Sequence, residues 1–154
     1  MPTVAAIPTA TSLGEYLVVW ESDDSTDAAV RSQLVTGDGN LTGLIPHNVL
    51  WYAAGAYAIS AVAGNENSQQ FLIVLKNFAS ASFTAVEFSS DLVHWGPWYG
   101  PDSGTSADHP AIASGPTGDF LVAFDRAPFG TRDIYCQLWG NRTYVYLPLV
   151  LRGH

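Results

Sequence analysis

Residues 16–20 read Tyr-Leu-Val-Val-Trp, and residues 120–124 read Phe-Leu-Val-Ala-Phe, 104 positions later. Between them, residues 71–75 read Phe-Leu-Ile-Val-Leu, 55 positions after the first. Each run follows a stretch of small apolar residues: Thr3-Val-Ala-Ala-Ile7, Ala61-Val-Ala-Gly64 and Ala111-Ile-Ala-Ser114. A pattern that returns every 50 residues or so marks a repeat architecture, in which one unit cannot bury its own apolar face and stacks on its neighbours.

The segments around these runs are short, alternating or β-branched, and clusters of Gly, Pro, Asn and Asp separate them, which is the grammar of strands joined by turns. No segment keeps a 3.6-residue apolar period over three turns. Residues 28–35 come closest, but their counterpart Asp133–Trp139 alternates Ile134, Cys136 and Leu138 on one face, and Gln33 and Gln137 share the 104-residue offset. Both stretches therefore read as strands, with Cys136 expected to face the core as a small hydrophobe. Each repeat then supplies four strands: a small-residue first strand (3–7, 59–63, 111–114), the aromatic-led second, a third (28–35, 83–88, 133–139) and a fourth (44–50, 94–99, 143–151).

Four antiparallel strands per repeat of this length predict an all-β fold, a β-propeller of three four-stranded blades at about residues 1–50, 51–104 and 105–154. The first strand would lie nearest the axis, where only Ala, Gly and Ser fit. The pattern Pro-x-Val-Ala, then Tyr-Leu-Val-Val-Trp-Glu, then Gln-Leu-Val-x-x-Asp-Gly resembles blades of bacterial extracellular β-propeller repeat proteins. It covers nearly all of the first and third repeats. The second departs from it, lacking the leading proline and placing Leu75 where an aromatic would stand. The tail Tyr146–Arg152 (Tyr-Leu-Pro-Leu-Val-Leu-Arg) also resembles the ends of exported proteins of some filamentous bacteria. These resemblances imply an extracellular bacterial protein with its leader removed; a cytosolic one is the alternative.

Composition narrows the partners. The net charge of −8, with Lys76 as the one lysine, opposes phosphate backbones and anionic lipid, so neither nucleic acid nor a membrane surface is expected. The longest apolar runs fall far short of the roughly 20 residues that span a bilayer. Cys136 is the single cysteine, which excludes an internal disulfide and a paired-cysteine zinc site. The sequons at Asn40 and Asn141 carry weight only in a eukaryotic secreted protein.

Three blades do not close a ring, since closed propellers use about four to eight. An open arc would leave large apolar faces on its end blades. The expected solution is a homodimer whose two arcs complete six blades; the alternative is a piece of a longer propeller. The dimer is preferred because the segment starts on a first strand and ends after a fourth.

Residues 89–95, Ser-Ser-Asp-Leu-Val-His-Trp, resemble the Ser-x-Asp-Leu-x-x-Trp turn of five-bladed glycoside hydrolases and, more loosely, an Asp-box turn, with Val93 where the box has Gly. In those families the turn is structural, which implies a capping role for Asp91 and a packing role for Trp95. A glycosidase needs two carboxylates across its substrate. The expected inner strands carry none, and only Asp108 stands near an entry. No catalytic residues are therefore assigned, and no cofactor is expected.

Trp95, Trp98 and Tyr99, with Trp51 and His109 as outlying candidates, could offer aromatic faces and polar neighbours for stacking on sugar rings; wedging blades together is the competing role. Asp23, Ser25 and Asp27 place oxygens at alternate positions, as a calcium loop does, but lack the glycine and the late glutamate, so a solvated hairpin tip is expected and no metal is assigned. The four histidines show no metal spacing. The expected function is a non-catalytic scaffold or recognition module that self-associates, with glycans as the first ligand class. The rival is a degenerate or partial glycan-processing propeller.

Overall fold

A computed structural model describes residues 2–9, 12–23, 28–52, 57–77, 82–89, 107–126, 133–140 and 145–147. These form strands and no helix: β1 (Thr3–Thr9), β2 (Ser12–Asp23), β3 (Ala28–Thr36), β4 (Leu41–Tyr52), β5 (Tyr57–Asn65), β6 (Gln70–Asn77), β7 (Ser82–Ser89), β8 (Ala107–Ser114), β9 (Phe120–Arg126), β10 (Asp133–Trp139) and β11 (Val145–Leu147). They pair into three antiparallel meanders: sheet 1 in the order β1-β2-β3-β4, sheet 2 in the order β5-β6-β7, and sheet 3 in the order β8-β9-β10-β11. The fold is all-β, with one sheet per sequence repeat. The expected fourth strand of the second repeat, 94–99, lies outside the described residues.

Register makes the repeats superimposable. Leu17 pairs with Ala5 and Leu34 in sheet 1, and Leu72 pairs with Ala63 and Glu87 in sheet 2. Their counterpart Leu121 pairs with Ala113 and Leu138 in sheet 3. Successive side chains on a strand point to opposite faces, so each aromatic-led run splits into two sets. One set is Tyr16, Val18 and Trp20, with equivalents Phe71, Ile73 and Leu75, then Phe120, Val122 and Phe124. The other is Leu17 and Val19, then Leu72 and Val74, then Leu121 and Ala123.

Packing uses these two sets in a fixed order. One core joins Ala5, Ile7, Leu17, Val19, Val30 and Leu34 of sheet 1 to Phe71, Ile73, Leu75 and Val86 of sheet 2. The other joins Leu72, Val74 and Phe83 of sheet 2 to Phe120, Val122, Phe124 and Trp139 of sheet 3. Phe83 meets Phe124 edge-on at 5.9 Å across the second junction, and Phe124 stacks on Tyr135 at 6.0 Å. In both junctions the second set of one sheet meets the aromatic-led set of the next. Sheet 2 is covered on both faces, which is why all of Phe71–Leu75 is buried.

The first strands lie side by side, β1 against β5 and β5 against β8. Gly64 of β5 shows how close they come. A Cβ there would collide with the Ala6 carbonyl oxygen and sit 2.8 Å from Ile7 Cγ1. This crowding is the physical reason for the small residues of the first strands. Among the described residues no comparable packing joins β8 back to β1, so the three sheets form an open row.

Two expectations change. The third inner strand begins at Ala107, not Ala111, so Asp108 and His109 lie within it. Cys136 does not face either core: it shares the outer face of sheet 3 with Ile134, while the alternate residues Tyr135 and Trp139 pack inward. Alternation was read correctly there, but which of the two faces is covered depends on the neighbouring sheet.

Candidate functional site

The polar residues gathered by the fold lie at one end of the row, where second strands finish and first strands start. β8 enters with Ala107-Asp-His-Pro110, and its pairing with β9 is irregular between Asp108 and Ala111. Pro110 donates no ladder hydrogen bond, and β8 is an edge strand, the setting in which a proline and a bulge are tolerated. The irregularity holds His109 at φ 50°, in the left-handed region that a histidine adopts at some cost in strain. Its side chain is exposed, and its Nδ1 lies 3.2 Å from Asp125 Oδ2. Asp125 is the register partner of Asp108 on β9. The Asp108 carboxylate in turn pairs with Lys76 Nζ of β6, tying sheet 3 to sheet 2.

Four charged or ionisable groups from three strands thus meet within one patch. Two are carboxylates, one is an ammonium and one an imidazole, each contributing to a neighbour. The Lys76–Asp108 pair joins sheets 2 and 3, and the His109–Asp125 pair lies within sheet 3. Among the described residues no group of three or more His, Cys, Asp or Glu is placed to hold a metal ion.

The same position in sheet 1 carries a related contact. Glu21, five residues after Tyr16 as Lys76 is after Phe71, accepts a hydrogen bond from the Ile59 amide of β5 at 2.9 Å. The opposite end of the row carries the tight turns. There Asn65, almost wholly buried, donates from Nδ2 to the Gly115 carbonyl at 2.9 Å and the Asp119 carbonyl at 2.7 Å. Its Oδ1 accepts from the amides of Asn67 at 2.9 Å and Ser68 at 3.3 Å. One side chain thereby caps its own turn and hooks the turn of the next sheet.

Two carboxylates at turns, exposed Asp38 and half-buried Asp119, are held below the ordinary value of 3.8. The Thr36 hydroxyl holds Asp38 down, helped by the Asn40 amide. The Thr117 hydroxyl, donating at 2.7 Å, holds Asp119 down.

Of the residues singled out by sequence, His109 falls in the polar patch. Trp51 lies on β4 opposite Ala29, in another sheet, so the fold does not bring these two onto one strand or hairpin. Trp95, Trp98, Tyr99, Asp91, Ser25 and Asp27 lie outside the described residues, and Asp23 ends β2. Sequence reading missed Lys76 and Asp125. The signal was present: Glu21, Lys76 and Asp125 stand at one repeat position and are charged in all three repeats. Among the described residues no helix is long and apolar enough to cross a membrane. The chain matches no protein-family model and none of the curated proteins compared with it.

Proposed function

We propose that this chain is a three-blade propeller unit that works as a non-catalytic scaffold or recognition module and completes its ring by self-association. The observation that carries the reading is the order of packing. Three sheets stack with their first strands side by side, and among the described residues the row ends with one face unpaired by another sheet at each end. Glycans are the ligand class to which the sequence points, through Trp95, Trp98 and Tyr99, with Trp51 and His109 as further contacts; an exposed imidazole beside Asp125 adds directional hydrogen bonding. The resemblance to bacterial extracellular propeller repeats supports a secreted setting.

Two measurements test it. Light scattering on a size-exclusion column should give a species of twice 16.5 kDa, and a monomer at every concentration overturns self-association. A glycan array should then return ligands whose binding is lost in Trp95→Ala or Trp98→Ala. An array blank at millimolar glycan removes the ligand class.

A second reading, a degenerate glycan-processing enzyme, is favoured by one observation: Asp108 lies on an inner strand, directly opposite Asp125. Against it, Asp108 is ion-paired with Lys76 and Asp125 holds His109, so both carboxylates serve internal contacts. Hydrolysis of aryl glycosides that disappears in Asp108→Asn would establish the enzyme.

A further inference from the structure

We propose that the outer face of sheet 3 docks on the outer face of sheet 1 in a second copy of this chain, repeating for a third time the contact that joins sheet 1 to sheet 2 and sheet 2 to sheet 3. This rests on the self-association reading and specifies its surfaces.

The two end faces are the two halves of one interface. Inside the chain, Leu17 and Val19 pack on Phe71, Ile73 and Leu75, and Leu72 and Val74 pack on Phe120, Val122 and Phe124. The remaining members of each set are Leu121 and Ala123 on sheet 3, and Tyr16, Val18 and Trp20 on sheet 1. The repeat relation extends to the third strands. Val30 and Leu34 are buried against sheet 2, and their equivalents Ile134 and Leu138 lie on the open face of sheet 3. Leu121 and Ile134 are 42% and 43% exposed on one end face, and Tyr16 and Val4 are 40% and 59% exposed on the other. Leu121, Ile134 and Tyr16 stand at positions that are buried in the other repeats (Leu17 and Leu72, Val30, Phe71 and Phe120), and apolar residues so placed mark missing neighbours, not solvent faces.

The contact is head-to-tail, because each internal junction joins unlike faces. A heterologous contact closes only if its rotation does so. Two copies give six sheets, within the range of about four to eight found in closed rings, and three copies give nine, outside it. The charged position five residues after each leading aromatic supports the same geometry. Glu21 and Lys76 each reach the start of the next sheet's first strand, at Ile59 and Asp108. Asp125 is the third member of this set, and its carboxylate pairs with His109 of its own sheet.

Leu121→Glu and Tyr16→Glu test the pairing, one variant per face. Both positions are partly exposed, so each variant is expected to stay folded, checked by circular dichroism; Leu121→Ser and Tyr16→Ser serve if either does not. Each variant should weaken the dimer at least about a hundred-fold, because a carboxylate would be buried without a partner. Mixed together, they should form a one-junction pair, since the Tyr16 variant keeps an intact sheet 3 face and the Leu121 variant an intact sheet 1 face. A wild-type monomer overturns the self-association reading itself. A wild-type dimer that survives both variants, or is broken by only one of them, overturns the head-to-tail pairing alone.

Discussion

Leu17, Leu72 and Leu121 are the same residue at the same repeat position, yet the fold gives them different surroundings, and truncating each to alanine isolates that difference. Leu17 and Leu72 are fully buried, one in each core. Replacing a buried leucine by alanine costs about 2–5 kcal/mol, the sum of lost transfer energy and the cavity left behind. Leu121 is 42% exposed on the outer face of sheet 3. Full burial of a leucine side chain is worth about 1.5–3 kcal/mol, and a little over half of that applies here, so Leu121→Ala should cost about 1–2 kcal/mol with no cavity term. Urea unfolding followed by tryptophan fluorescence reads the three variants on one scale. With a slope of about 2 kcal/mol per molar urea, the midpoints of Leu17→Ala and Leu72→Ala should fall roughly 1–2.5 M, and that of Leu121→Ala less than 1 M. At concentrations where the dimer forms, the Leu121→Ala deficit should grow, because the second copy buries the side chain; at high dilution it should shrink to the smaller value. Equal losses for all three variants at every concentration would refute the placement of Leu121 on an open face, and with it the order of sheet packing.

Gly64→Ala should destabilise the chain by more than about 2 kcal/mol, because its Cβ meets the backbone of Ala6 and not a movable side-chain tip; thermal melting reads the loss, and an unchanged midpoint would mean that β1 and β5 are farther apart than described. Asn65→Ala removes two donors from the carbonyls of Gly115 and Asp119 and should cost about 2–4 kcal/mol, whereas Asn65→Asp, which turns a carboxylate toward the same carbonyls, should be no better at neutral pH; urea midpoints of the two variants decide this. The depressed carboxyls of Asp38 and Asp119 bind protons more readily in the unfolded chain, so their contribution is present above pH 3.8 and is lost as pH falls through their lower folded values; Asp38→Asn and Asp119→Asn should each flatten the fall in melting temperature between pH 4 and pH 2. Lys76→Met should loosen the junction of sheets 2 and 3 at Asp108 without moving the junction of sheets 1 and 2; hydrogen exchange should rise at β8 and stay level at β1.

The strands were legible because their signals are local. Alternation, small-residue first strands and the turn residues between them placed a strand in every repeat near its observed bounds, including Asp133–Trp139. The errors fall where local signals stop. The entry of β8 was read as starting at Ala111, where the run of small residues begins, yet on an edge strand an irregular pairing extends the ladder back past Pro110 to Ala107. The polar patch was invisible for the same reason: Lys76 and Asp108 are 32 residues apart and meet only when sheet 3 packs on sheet 2.

Read along the chain, the pattern carries the all-β class and the three units, because these follow from the period of a strand and from a repeat of its pattern. It also required that small residues line the first strands, as close approach at Gly64 demands. Which set of side chains faces which neighbour is fixed by the packing of the sheets. Leu17, Leu72 and Leu121 are indistinguishable along the chain, and only the order of stacking buries two of them and leaves the third exposed. Burial belongs to a pair of surfaces, and no strand carries the identity of its partner in its own pattern.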